Sequence, residues 1–142
     1  MKFIFIINGP NLNYLGKREN KIYGKINFNY YLNNIKKNII NFKIYYYQTN
    51  LENKIINKLF KLNYNKNCIG ILLNAGGLSH TSLILLDCIK SINILIIEIH
   101  ISNIYNRENI RSYSIISKGI KGIIIGLNLK SYLLGIYGII LK

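Results

Sequence analysis

Short apolar runs along the chain alternate with stretches whose apolar residues recur every three or four positions, the pattern of strands and crossover helices in a parallel sheet. Phe3 to Ile7 is continuously apolar, which predicts a first strand buried on both faces. Phe28, Tyr31, Leu32, Ile35 and Ile39 follow at helical spacing to about Phe42, and Lys43 to Tyr47 predicts a second strand. Ile55, Ile56 and Leu59 mark a second helix, and Ile69 to Leu73 a third strand. Leu85, Cys88, Ile89 and Ile92 trace a third helix that begins near Thr81. Ile94 to Ile99 and Gly122 to Ile125 complete five strands, and Leu129, Tyr132, Leu133, Ile136 and Ile140 give a closing helix its apolar face.

Five such units in 142 residues leave no room for a second domain, so residues 1–142 are read as one. The arrangement expected is α/β: a flavodoxin-like, doubly wound, five-stranded parallel sheet of order 2-1-3-4-5, with right-handed crossovers and helices on both faces. In such sheets ligands bind beyond the carboxyl ends of the strands, so residues with unusual chemistry ought to follow the strand ends.

Composition changes how the charge is weighed. The chain has 32 Ile, 22 Asn and 16 Lys but a single Pro and a single Asp. The abundant residues are those whose codons are poorest in G and C, and the working hypothesis is drift in a very AT-rich genome, such as that of a reduced endosymbiont; a balanced base composition in the source would overturn it. The formal net charge is +14, but 16 of the 19 basic residues are lysines scattered along the chain. Such a field attracts phosphates and carboxylates without naming a partner. No stripe of cations interleaved with aromatics suggests nucleic-acid binding, so none is expected. Cys68 and Cys88 lack CxxC spacing and read as buried thiols of a reducing compartment. The apolar start is too short for a secretory signal, and the stretch from Gly122 to Leu141 is interrupted by Asn128, Lys130 and Ser131. The expectation is a soluble cytoplasmic protein with no membrane contact.

The residues that run against the drift cluster where the fold rule asks for them. Pro10 and Arg18 follow strand one, His80 and Asp87 follow strand three, and His100, Arg107 and Arg111 follow strand four. The loop from Asn8 through Asn11 to Gly16, Arg18, Tyr23 and Gly24 is long and glycine-flanked, and reads as a cover over a site. A guanidinium close to the Tyr23 phenol favours the phenolate and would make it a base. Equally, Tyr23 is one of 12 tyrosines and Arg18 can be a solvated charge. In Asn74-Ala75-Gly76-Gly77-Leu78-Ser79-His80-Thr81-Ser82 the glycines permit close approach to a ligand, Asn74 and His80 offer hydrogen bonds, and Thr81 or Ser82 can cap the next helix.

The third cluster begins inside a strand, where the period of two puts Glu98, His100 and Ser102 on one side. A buried acid and imidazole cost free energy unless they pair with each other or with a ligand. Arg107 and Arg111, four apart, should share a helical face and repel unless an anion lies between them, with a carboxylate as the natural guest. His80 and Glu98 lie in different segments with no HExxH or paired-Cys spacing, so no metal is expected. No GxSxG elbow exposes a nucleophile for a Ser/His/Asp triad.

Taken in order, NGPNLNYLGKRE with YG, NAGGLSHTS with Asp87, EIHISN with RENIRSYS, and the tail GIIIGLNLKSYLLGI resemble the type II 3-dehydroquinate dehydratases, the small dehydroquinases of the shikimate pathway to chorismate and the aromatic amino acids. The resemblance implies a cofactor-free hydro-lyase that removes water from 3-dehydroquinate by anti elimination through an enolate. It implies that Tyr23 takes a C2 proton with Arg18 lowering its pKa, that Asn11 helps hold a water on the enolate oxygen, and that His100 protonates the departing C1 hydroxyl with Glu98 orienting it. Asn74, His80, Ile101, Ser102 and Arg111 match the family's substrate-binding set. An aspartate matching Asp87 reaches a neighbouring subunit's site in a dodecamer built from trimers, so a homo-oligomer is implied. The chain departs from the family at Ala75 and Gly77, usually Pro and Ala, and over Gln48 to Asn53, changes expected to touch packing or assembly more than chemistry. A reading of a different class is a non-catalytic, basic flavodoxin-like module for nucleotides or RNA.

Overall fold

The computed structural model of the chain describes residues 1–17 and 27–141. Five strands, β1 (Phe3–Asn8), β2 (Lys43–Gln48), β3 (Cys68–Asn74), β4 (Ile96–His100) and β5 (Gly122–Ile125), form one parallel sheet. Their order is 2-1-3-4-5, as the pattern of apolar runs predicts. The helices are α1 (Phe28–Asn38), α2 (Glu52–Asn63), the single turn α3 (Leu78–Thr81), α4 (Leu83–Ser91) and α5 (Lys130–Ile140).

Alternation along the strands sends side chains to two cores, one on each face. Ile4 and Ile6 of β1, Leu72 of β3 and Ile97 and Ile99 of β4 pack against Leu32 and Ile35 of α1 and Tyr132 and Ile136 of α5. Ile7, Ile71, Leu73 and Ile96 face the other way, against Ile55 and Leu59 of α2 and Leu85 and Ile89 of α4. Burying an isoleucine or leucine this fully stabilises by about 1.5–3 kcal/mol relative to leaving it exposed, so the two cores supply most of the driving force. Gly135 lets α5 lie close on the sheet; a Cβ there would stand 2.7 Å from Leu72 Cδ2. Cys68 and Cys88 are free and buried, and burial pushes the Cys68 thiol up to about 11, leaving it unreactive. Among the described residues no helix is long and apolar enough to cross a membrane.

Three local expectations are corrected. The first helix stops at Asn38, with Ile39 already extended, instead of running on to about Phe42. The fourth strand runs from Ile96 through His100, two residues later than its apolar start suggests. The third helix is two pieces, because Ser82 turns extended after Thr81 and then caps α4 by accepting from the Leu85 amide at 2.9 Å. The Ser82 hydroxyl in turn donates to Glu52 at the start of α2.

Candidate active site

The carboxyl ends of β1, β3 and β4 open into a cleft of about 270 Å³ lined by Asn11, Asn74, His80, His100, Ile101, Ser102, Arg107 and Arg111 together with Pro10, Tyr14 and Gly76. That volume sits at the lower edge of the roughly 300–1,000 Å³ usual for ligand clefts, which suits one small molecule better than a dinucleotide. Eight of the twelve residues singled out in the sequence therefore meet in one place.

Two glycines make the convergence possible. The Gly9 amide donates to the Asn74 carbonyl at 2.7 Å, and a Cβ on Gly9 would lie 2.6 Å from the Ala75 carbonyl oxygen. Gly76 returns the contact: its φ is +59°, and a Cβ there would meet the Pro10 carbonyl oxygen at 2.9 Å. No side chain fits at either position, so the loops after β1 and β3 interlock backbone to backbone. Asn11 sits just beyond, with φ of 67°, and its amide donates to Asn50 Oδ1 at 3.0 Å. Gln48 donates to the same Asn50 oxygen at 3.0 Å and to the Gly9 carbonyl at 3.2 Å. Gln48 and Asn50, which belong to the stretch that departs from the family pattern, thus bear on the seat of Asn11. Ala75 is fully buried, and beside Gly77 there is open space for a Cβ.

The back wall is dry. Glu98 is fully buried and His100 is 5% exposed. Because they stand two apart on β4 their side chains meet, and His100 Nε2 donates to Glu98 Oε1 at 2.5 Å. The same oxygen accepts from Ser114 Oγ at 2.5 Å, and Oε2 accepts from Ser117 Oγ at 2.6 Å. Burial alone pushes the Glu98 carboxyl up, yet the hydrogen bonds from His100, Ser114 and Ser117, with the attraction of the imidazole, hold it below the usual carboxylate range. Glu98 is thus an ionised anchor behind the cleft, while His100 reaches the cleft itself.

Asn74 is fixed by a second buried chain. Its Nδ2 donates to the Tyr132 hydroxyl at 3.0 Å, which donates to Asn8 Oδ1 at 2.8 Å, and its Oδ1 accepts from the Gly76 amide at 3.2 Å. Complete burial raises the Tyr132 pKa, so this phenol is a neutral strut and not a base. His80 Nδ1 donates to the Tyr113 carbonyl at 2.8 Å, which fixes the tautomer, and its ring centroid lies 6.1 Å from that of His100.

Arg107 and Arg111 do come together, but not on a helix. Arg107 is extended at the end of the turn Ile104–Asn106, and Arg111 belongs to the next turn, Asn109–Arg111. A carboxylate of the chain itself stands beside both: Glu108 Oε2 lies 3.7 Å from Arg107 Nε and 3.4 Å from Arg111 Nε.

Asp87 lies on the exposed side of α4 and does not line the cleft. Tyr23 and Arg18 lie outside the described residues. Sequence reasoning missed Ser114, Ser117 and Tyr132. The serines lie in an irregular segment without periodicity, and the tyrosine reads only as part of an apolar helix face.

A doubly wound sheet whose strand ends present an acid-backed imidazole and a pair of guanidiniums defines a small α/β enzyme acting on a carboxylate by proton transfer. Comparison with known proteins names the group. The family model for dehydroquinase class II matches residues 2–140. A 3-dehydroquinate dehydratase of Caldicellulosiruptor saccharolyticus is 44% identical over 141 residues, which cover 98% of this chain and 97% of that one. A 3-dehydroquinate dehydratase of Buchnera aphidicola subsp. Baizongia pistaciae is 47% identical over 131 residues, 91% of this chain and 84% of that one. The crystal structure of a type II dehydroquinase from Butyrivibrio crossotus superposes with a TM-score of 0.92 at 38% identity, covering 97% of each chain. The chain belongs to the class II dehydroquinase family.

Proposed function

We propose that the cleft eliminates water from 3-dehydroquinate with His100 as the acid, Tyr23 as the base and Arg107 and Arg111 as the carboxylate clamp. The hydro-lyase activity itself comes with the family, whose members here are 3-dehydroquinate dehydratases. The observation that carries the division of labour is the Glu98–His100 pair, set 2.5 Å apart in a dry wall and opening onto a cleft rimmed by two guanidiniums.

The phenolate of Tyr23, favoured by the Arg18 guanidinium, takes a proton from C2, and the electrons pass into an enolate. Asn11 helps hold the water that hydrogen-bonds the enolate oxygen. The enolate then collapses, the C1–O bond breaks, and protonated His100 gives its proton to the departing hydroxyl, releasing water and 3-dehydroshikimate. Glu98 balances the imidazolium charge through this step. Asn74, His80 and the backbone and hydroxyl at Ile101 and Ser102 orient the ring and carboxylate. The scheme invokes a base, an acid and a charged clamp, and no cofactor. In the proposed dodecamer of trimers Asp87, exposed on α4, reaches a neighbouring subunit's site, and the cytoplasm is the proposed compartment.

The test is direct. Purified protein given 3-dehydroquinate should produce the ultraviolet-absorbing enone, and Tyr23→Phe, Arg18→Ala or His100→Gln should each remove most turnover. Borohydride should trap no covalent adduct. Full activity in Tyr23→Phe would overturn the base assignment, and a monomeric native mass would overturn the assembly.

A further inference from the structure

The segment 112–119 contributes no side chain to the proposed chemistry, yet it touches the His80 imidazole and the carboxylate that holds His100. Its Tyr113 carbonyl accepts from His80 Nδ1 at 2.8 Å, and its Ser114 and Ser117 hydroxyls close on the two oxygens of Glu98 at 2.5 and 2.6 Å. Ile116, fully buried in the core beside α4, and the Ile115 amide, which donates to the Ser79 carbonyl at 2.7 Å, hold the segment in place. We propose that Ser114 and Ser117 are positioning residues for the acid step, holding Glu98 as an ionised acceptor so that His100 keeps its Nε2 proton and presents Nδ1 to the cleft.

The argument is one of satisfied valences. Glu98 faces Leu73 on β3 and Ile123 on β5, neither able to donate from its side chain or carry charge. A buried carboxylate needs donors for both oxygens, and apart from His100 only the two serines supply them among the described side chains. The Ser114 hydroxyl also lies 3.4 Å from the Ser79 carbonyl, too long to compete with Glu98 at 2.5 Å for its single proton. An ionised carboxylate has no proton to give, so Nε2 must be the protonated nitrogen of the pair. Nδ1 is then the nitrogen left for the leaving group, and its proton passes to the hydroxyl as the C1–O bond breaks. Neutral His100 afterwards still carries Nε2–H on Glu98, and before the next turnover Nδ1 takes up a proton from solvent while Tyr23 gives one up. Among the described residues, the charged and titratable groups around the cleft are His80 on α3, with its Nδ1 proton fixed on Tyr113, Tyr14 in the lining, and Arg107, Glu108 and Arg111 at the rim.

The inference rests on reading His100 as the acid, and its test separates the two. In nitrogen-15 NMR of the wild-type protein near neutral pH, the neutral form of His100 should be the Nε2–H tautomer; the Nδ1–H tautomer would overturn the proposal whatever the activity. Ser114→Ala and Ser117→Ala should each lower kcat about tenfold, a part of the roughly 10²–10⁴-fold that a positioned acid contributes, with KM within about twofold. Loss of these donors lets burial raise the Glu98 carboxyl, so the acid limb of the kcat profile should move to higher pH. Ser114→Thr and Ser117→Thr keep the hydroxyl and should restore most of kcat. If the double alanine variant matches the wild type in kcat and acid limb, or loses KM and kcat together with the limb unmoved, the serines are merely structural. Should the alanine variants fail to fold, the wild-type tautomer and the threonine variants decide. Full activity in His100→Gln would instead sink the acid assignment and leave the tautomer measurement standing.

Discussion

Two glutamates ten residues apart show how differently one side chain behaves at the back and at the rim of the same cleft. Glu98 is wholly buried, with three donors aimed at its two oxygens. Glu108 is 65% exposed and leans on two guanidiniums at 3.4 and 3.7 Å. In the dry wall each hydrogen bond is fixed by packing and little screened, whereas at the rim water and salt weaken the attraction. The first carboxylate is built into the sheet, and the second can be displaced by another carboxylate.

The largest expected effect comes from breaking the buried half of that contrast. Glu98→Ala leaves an imidazole and two hydroxyls without their acceptor and should cost about 3 kcal/mol of stability, read by denaturant unfolding, along with most of kcat. A loss below about 1 kcal/mol would mean that the wall relaxes and lets water in. Next comes pH. The folded Glu98 carboxyl lies below its ordinary value, so its contribution is complete above the unfolded carboxylate pKa of about 4.3 and is lost as pH falls through that value to the lower folded one. The chain has only five acidic residues, which makes this limb simple to isolate. Melting temperature should fall between about pH 5 and pH 3, and Glu98→Gln should flatten that slope.

A neutral member of the same wall gives a smaller effect. Tyr132→Phe removes the hydroxyl between Asn74 and Asn8 and should cost about 1–3 kcal/mol, with KM raised as Asn74 loses its support. An unchanged KM would show that the Gly76 amide holds Asn74 alone. The smallest effect belongs to the rim. Glu108→Gln should change stability by less than about 1 kcal/mol and lower KM, because the substrate carboxylate no longer displaces a resident one. A raised KM would show instead that Glu108 orients the guanidiniums.

The contrast also divides what was legible in the sequence. A strand's period of two is short-range and rigid, so Glu98 and His100 could be paired from spacing alone, and the apolar faces of α1 and α5 follow from the period of 3.6 in the same way. Arg107 and Arg111 invited a helical reading that the extended backbone at Arg107 refutes, and the carboxylate beside them is the chain's own Glu108, which spacing did not point to. Ser114 and Ser117 were invisible because irregular backbone has no period from which to infer direction; their meeting with Glu98 is set by β5 and the turn before it. The Tyr132 hydroxyl was hidden behind its ring, which packs like any other member of the apolar face.

The reciprocal glycines bear on how this protein can evolve. A coding sequence drifting toward isoleucine, asparagine and lysine can exchange much of the surface one codon at a time, but at Gly9 or Gly76 any replacement brings a carbon into the opposing carbonyl. Neither loop can accept that carbon without carrying the other away with it. A single substitution on either side therefore breaks the joint, and only a paired change could rebuild it.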